Sequence, residues 1–251
     1  MQRQLCPIFL QGKISAIDAL RSMRRVIVFC PHKVASRSVC QSHKRSVHTH
    51  QREFVVDKCK NGDVIFLGVR HPFSLRLSAF FQDMCSRFVK HMTREEVCAA
   101  STETLADEYC RVEWRDYGFS SVQLYLDALH REFDCDLLSG WTPSKPFIVR
   151  KAVKHRKTGN VVTLCVYKME QLSQSVFNAM NVAVGLPPVP LVHTNEGSAK
   201  WYADPYARLK GHLEPHIPQS ELGWYTAMYL TTNKVAQRPK PRLVRTRRRV
   251  R

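Results

Sequence analysis

The chain has 251 residues, 44% of them hydrophobic and 24% charged, with 39 Lys and Arg against 21 Asp and Glu. That length and apolar content suffice for one globular domain with a sizeable core and exclude disorder throughout. No run approaches the roughly 18 to 20 apolar residues of a spanning helix, and Met1 to Arg25 scatters basic residues without a compact apolar block, so neither a membrane span nor a secretory leader is expected.

Residues 1–24 read as an N-terminal extension. Arg25 to Cys30 is a continuous apolar run closed by Pro31, which predicts a strand buried on both faces. The next stretch, Cys30-Pro31-His32-Lys33-Val34-Ala35-Ser36-Arg37-Ser38-Val39, runs from that strand into a helix. Amides at a helix start, one ammonium and two hydroxyls compose an anion cradle. It contains no G-x-x-x-x-G-K-[ST], which disfavours kinase-type nucleotide hydrolysis. Ser46-Val47-His48-Thr49-His50 follows the first helix, and its H-x-H pair suits a general base, a metal half-site or a solvated loop.

Asp63 to Val69 predicts a second buried strand, ending at Arg70-His71-Pro72. Pro72 fits a first helical position, and Phe73, Leu77, Phe80, Phe81, Met84 and Phe88 repeat at helical spacing, predicting an amphipathic helix of about five turns. Arg70 at the strand end and Ser78 two turns into the helix offer a guanidinium and a hydroxyl to a second phosphate. Arg94 to Trp114 is expected to be helical in part. Further helices are expected at Ser121 to Phe133, Met169 to Val182 and Lys200 to Lys210. Pro146 to Val149 and Val161 to Tyr167 read as strands joined through a Lys157-Thr-Gly-Asn160 turn, a hairpin that would make the sheet mixed. Pro187, Pro188 and Pro190 mark a rigid loop. Strand and helix alternation predicts an α/β fold with an open, mainly parallel sheet flanked by helices, formed by one domain over residues 25–233. In such sheets ligands sit beyond the carboxyl ends of the strands, at the loops after Cys30 and Val69.

Lys234 to Arg251 holds nine basic residues and no acid, a disordered basic tail suited to contact with a polyanion, nucleic acid included. Removing those nine leaves 30 basic against 21 acidic groups, so the body is basic too and suits an anionic ligand. The nine cysteines include no C-x-x-C pair, which points to reduced thiols, no zinc site and a cytoplasmic setting.

Together these residues carry a family resemblance. The first loop resembles the 5′-phosphosulfate loop of sulfotransferases, P-K-x-G-[ST]-[ST]-[ST]-[LV], with Ala35 at the Gly position and Arg37 at a hydroxyl position. Arg70 and Ser78, eight apart, resemble the 3′-phosphate motif. Tyr167-Lys168-Met169-Glu170-Gln171-Leu172 is similar to the Y-x-x-E-[DN]-L segment of the same enzymes. The stretch from His193 to Lys210, with Lys200-Trp201-Tyr202, resembles the N-K-W-Y-S region of the capsular polysaccharide synthesis family of sulfotransferase-like proteins.

The resemblance covers residues 25–212. It implies a P-loop-like fold, 3′-phosphoadenosine-5′-phosphosulfate as the sulfate donor, no metal, and a hydroxyl acceptor, most plausibly on a carbohydrate or polysaccharide. Lys33, Val34, Ala35, Ser36, Arg37, Ser38, Arg70 and Ser78 would bind the donor. Lys33 would stabilise the departing phosphate, and His48 or His50 would serve as the base. The other reading of the same fold is an inactive nucleotide- or polyanion-binding protein.

Overall fold

The computed structural model describes residues 24–29, 35–51, 55, 57–85, 91–112, 122–142, 144–192 and 200–216. Lys33, Val34, the N-terminal extension before Arg24, the stretch 193–199 and the basic tail lie outside the described residues.

Five strands form one open sheet: β1 (Val26–Phe29), β2 (Ser46–Thr49), β3 (Val64–Val69), β4 (Phe147–Lys154) and β5 (Val161–Lys168), in the order β2-β1-β3-β5-β4. All neighbours run parallel except β4 against β5. The apolar runs account for the centre of the sheet, since every residue of β1 and β3 is buried. β4 and β5 form the expected antiparallel pair, with a register shift between Arg150 and Val153. β2 is an edge strand not marked out by the sequence. Its Ser-Val-His-Thr composition lacks an apolar run, and three of its four residues are only half-buried.

Helices α1 (Ser36–Gln41), α2 (Pro72–Asp83), α3 (Arg94–Ala99), α4 (Thr102–Arg111), α5 (Val122–Glu132), α6 (Gln174–Val184) and α7 (Ala203–Leu213) complete the described elements. Pro72 takes the first helical position of α2, as its missing N–H allows. The helix expected from Met169 starts later. Met169–Gln171 is a single 3-10 turn, and Ser173 caps α6 by accepting from the Val176 amide.

The core has two parts. One packs the sheet against Leu126 and Leu129 of α5 and Phe177, Met180 and Val184 of α6. The other gathers Phe73, Leu77, Phe80 and Phe81 of α2 with Val97, Leu105 and Leu209 of α3, α4 and α7. Leu75 belongs to the first part, so α2 is wedged between the sheet and the outer helices. Among the described residues no helix is long and apolar enough to cross a membrane.

Candidate functional site

β1 and β3 are neighbours, yet the chain leaves β1 for β2 on one side and reaches β5 on the other side of β3. The strand order therefore reverses between β1 and β3, and a crevice opens beyond the carboxyl ends of such a pair. The two loops singled out in the sequence leave these two strands.

On the β1 side, Ala35 immediately precedes α1 with φ 55 and ψ 22, a left-handed conformation. A Cβ makes that conformation cost about 1 to 2 kcal/mol, a cost glycine avoids. A glycine would meet this backbone requirement without that cost. Ser36 and Ser38 follow, both buried, whereas Arg37 is exposed. The first turn of α1 has no acidic residue, nor does that of α2, and the carboxylate at the start of α2 is that of Glu170, which accepts from the His71 amide.

β2 brings the histidine pair to the same edge. His48 is level with Val28 of β1. Its Nε2 lies 2.8 Å from Ser36 Oγ, a hydrogen bond joining the start of α1 to β2. His50 stands two residues on, just past the end of the strand, and strand geometry returns side chains to one face at that spacing. The two imidazoles meet edge to face, with centroids 4.5 Å apart and planes at 83°. Tyr125 of α5 donates to the His50 carbonyl at 3.2 Å, fixing the backbone there. The contact between Ser36 and His48 has no signal in the sequence, because it depends on β2 being a strand.

On the β3 side, Arg70 is half-buried and donates from Nη2 to the Tyr206 hydroxyl of α7 at 3.3 Å. Ser78 is buried within α2. The amide of His71 donates to Glu170 Oε1 at 2.7 Å, so the acid of the Y-x-x-E segment ties the loop after β3 to the turn after β5. Burial lowers the His71 pKa, with Glu170 the leading opposing influence. Lys168, level with Val69, is buried. Its Nζ donates to the Thr142 carbonyl at 3.1 Å and lies 5.3 Å from the centroid of the Trp141 ring. Burial lowers its pKa as well.

Tyr202 is buried and stacks on Phe81 at 5.5 Å, while Trp201 meets it edge-on at 5.3 Å. Both are core packing. His212 and His216 lie on α7 and the 3-10 turn that follows it. Among the described residues no group of three or more His, Cys, Asp or Glu is arranged to hold a metal ion. No protein-family model, curated protein or solved structure matches this chain.

Proposed function

We propose that the protein is a sulfotransferase that moves sulfate from 3′-phosphoadenosine-5′-phosphosulfate to a hydroxyl of a carbohydrate, and that His48 is the base. The observation that carries this reading is the 2.8 Å contact between His48 Nε2 and Ser36 Oγ. It sets a proton acceptor against the loop that the resemblance assigns to the donor. The residues at the crevice fit an anion with two separated charged groups: hydroxyls of Ser36 and Ser38 on one side and the Arg70 guanidinium on the other.

Bound there, the donor would supply a sulfuryl group already attached to a good leaving phosphate. Such transfer needs placement and charge stabilisation more than covalent help from the protein. Arg70 and Ser78 hold the 3′-phosphate and set the donor's register. Ser36 and Ser38, with Lys33 ahead of them, hold the 5′ side, and Lys33 neutralises charge on the departing oxygen. His48, with Nε2 directed at Ser36, takes the proton of the acceptor hydroxyl as that hydroxyl attacks. His50 packs on the ring and fixes its orientation.

Replacing His48 with Asn should lower turnover roughly 100-fold or more while affinity for adenosine 3′,5′-bisphosphate stays nearly unchanged. Turnover is read with labelled donor and a glycan array, and affinity by calorimetry. Full turnover in both His48→Asn and His50→Asn would remove the pair from the mechanism and send the search to Glu53 or Asp57. The alternative of an inactive binder draws on Ala35 and Arg37, which depart from the family loop. It predicts bisphosphate binding with no transfer to any acceptor.

A further inference from the structure

We propose that a cavity at the amino edge of the sheet, opposite the candidate donor site, binds an acidic sugar through its carboxylate or sulfate. The cavity is about 510 Å³, within the usual range for small-ligand sites. Asn61 and Gly62 before β3, the start of β5, the end of α6 and the β4 bulge form its wall. Arg24 and Lys151 are the charged groups of that wall, and no carboxylate accompanies them among the described residues.

Two features make this more than an open groove. Arg24 is held in place, since its Nη1 donates to the Val184 carbonyl at 3.0 Å, and most of its N–H groups are left for a guest. It lies against Gly185, where a Cβ would come within 3.3 Å of the guanidinium and the backbone has φ 79. Second, Ala152 adopts φ 53 within the register shift between Arg150 and Val153. Bulges re-aim side chains, and a non-glycine residue kept left-handed marks a place where the surroundings hold the chain in a costly shape. Among the described residues only Ala35 and Ala152 do this, one at each site.

The chemistry selects the ligand. Arg24 and Lys151 suit an oxyanion, the Asn61 amide and Thr163 hydroxyl suit sugar hydroxyls, and Val161 and Val162 offer an apolar surface to a sugar ring. Strands of six to eight residues separate this edge from the donor loops by roughly 20 Å or more. An acidic polysaccharide reaching both edges would be gripped here and modified there, which raises its effective concentration at the transfer site. The saccharide identity rests on the glycan sulfotransferase reading.

The test is an amide chemical-shift titration of the full chain with a glucuronate-containing disaccharide, whose single charge gives the basic tail little to bind. Saturable shifts at Gly62, Ala152 and Gly185 are expected, with affinity at least tenfold weaker in both Lys151→Glu and Arg24→Gln. Lys210→Glu on α7 should leave it unchanged. Absence of these shifts, equal shifts with the neutral disaccharide, or equal weakening by Lys210→Glu would overturn the site. So would the same shifts produced by a single-stranded oligonucleotide, which would mark a nucleic-acid surface instead. Adenosine 3′,5′-bisphosphate should perturb the Ser36 and Arg70 amides equally in wild type and Lys151→Glu. Failure there, with the disaccharide shifts intact, would overturn the donor assignment and leave this site standing.

Discussion

Ala35→Gly is a substitution that would ordinarily weaken a protein and should strengthen this one. At φ 55 the alanine Cβ crowds the carbonyl oxygen, a strain of about 1 to 2 kcal/mol that glycine removes. Against this, glycine frees the unfolded chain and so costs about 0.4 to 1 kcal/mol. The difference is a gain of about 0.5 to 1 kcal/mol. For a chain of this size that is a rise of roughly 1 to 4 °C in Tm. Urea denaturation should show a higher midpoint with an unchanged slope, meaning that stability rather than the unfolded ensemble has moved. Ala35→Val, adding β-branching at the same φ, should lower the midpoint. If Ala35→Gly instead loses about 0.5 to 1 kcal/mol, as glycine does within an ordinary helix, then residue 35 is not left-handed in solution and the cradle geometry falls with it.

Other perturbations test other parts of the fold. Arg70→Ala should weaken adenosine 3′,5′-bisphosphate by about 1.5 to 3 kcal/mol and adenosine 5′-phosphate far less, a contrast calorimetry can read; equal losses would refute a 3′-phosphate role. Asp63, buried at the start of β3, accepts from Arg25 Nε at 3.2 Å and from the Lys60 amide at 2.7 Å. Asp63→Asn should therefore cost on the order of 3 kcal/mol in urea denaturation, because it leaves Arg25 without its carboxylate.

His43 stacks on Phe66 at 5.9 Å and meets Phe177 edge-on at 5.5 Å, and burial lowers its pKa to about 4. Its folded pKa lies below the unfolded value of 6.5, so its contribution to stability is intact above pH 6.5 and is lost as pH falls from there through about 4. The loss should be about 2 kcal/mol after allowance for partial exposure. His43→Phe should flatten that part of the stability profile, and an unchanged acid slope would count against the buried environment.

How much of this was readable beforehand followed from where burial leaves a mark on composition. β1 and β3 are buried on both faces and so appear as unbroken apolar runs. β2, at the edge and half-exposed, leaves no such trace, yet it carries His48 to Ser36. The histidine pair was therefore visible as residues and invisible as geometry. The helix expected from Met169 starts instead at Gln174, since Met169–Gln171 is a 3-10 turn and Ser173 is the cap. Tyr206, which reaches Arg70 across 136 positions, could be found only by folding the chain.

The register shift in β4 has a bearing on behaviour in concentrated solution. β4 is the outer strand of its side of the sheet, and a straight outer strand invites a second molecule to extend the sheet. Here the shift between Arg150 and Val153 breaks the regular ladder, and exposed Lys151 within it and Lys154 just past it add positive charge. A neighbouring strand would meet a twisted, positively charged rim, so the open sheet ends in a form that discourages edge-to-edge stacking.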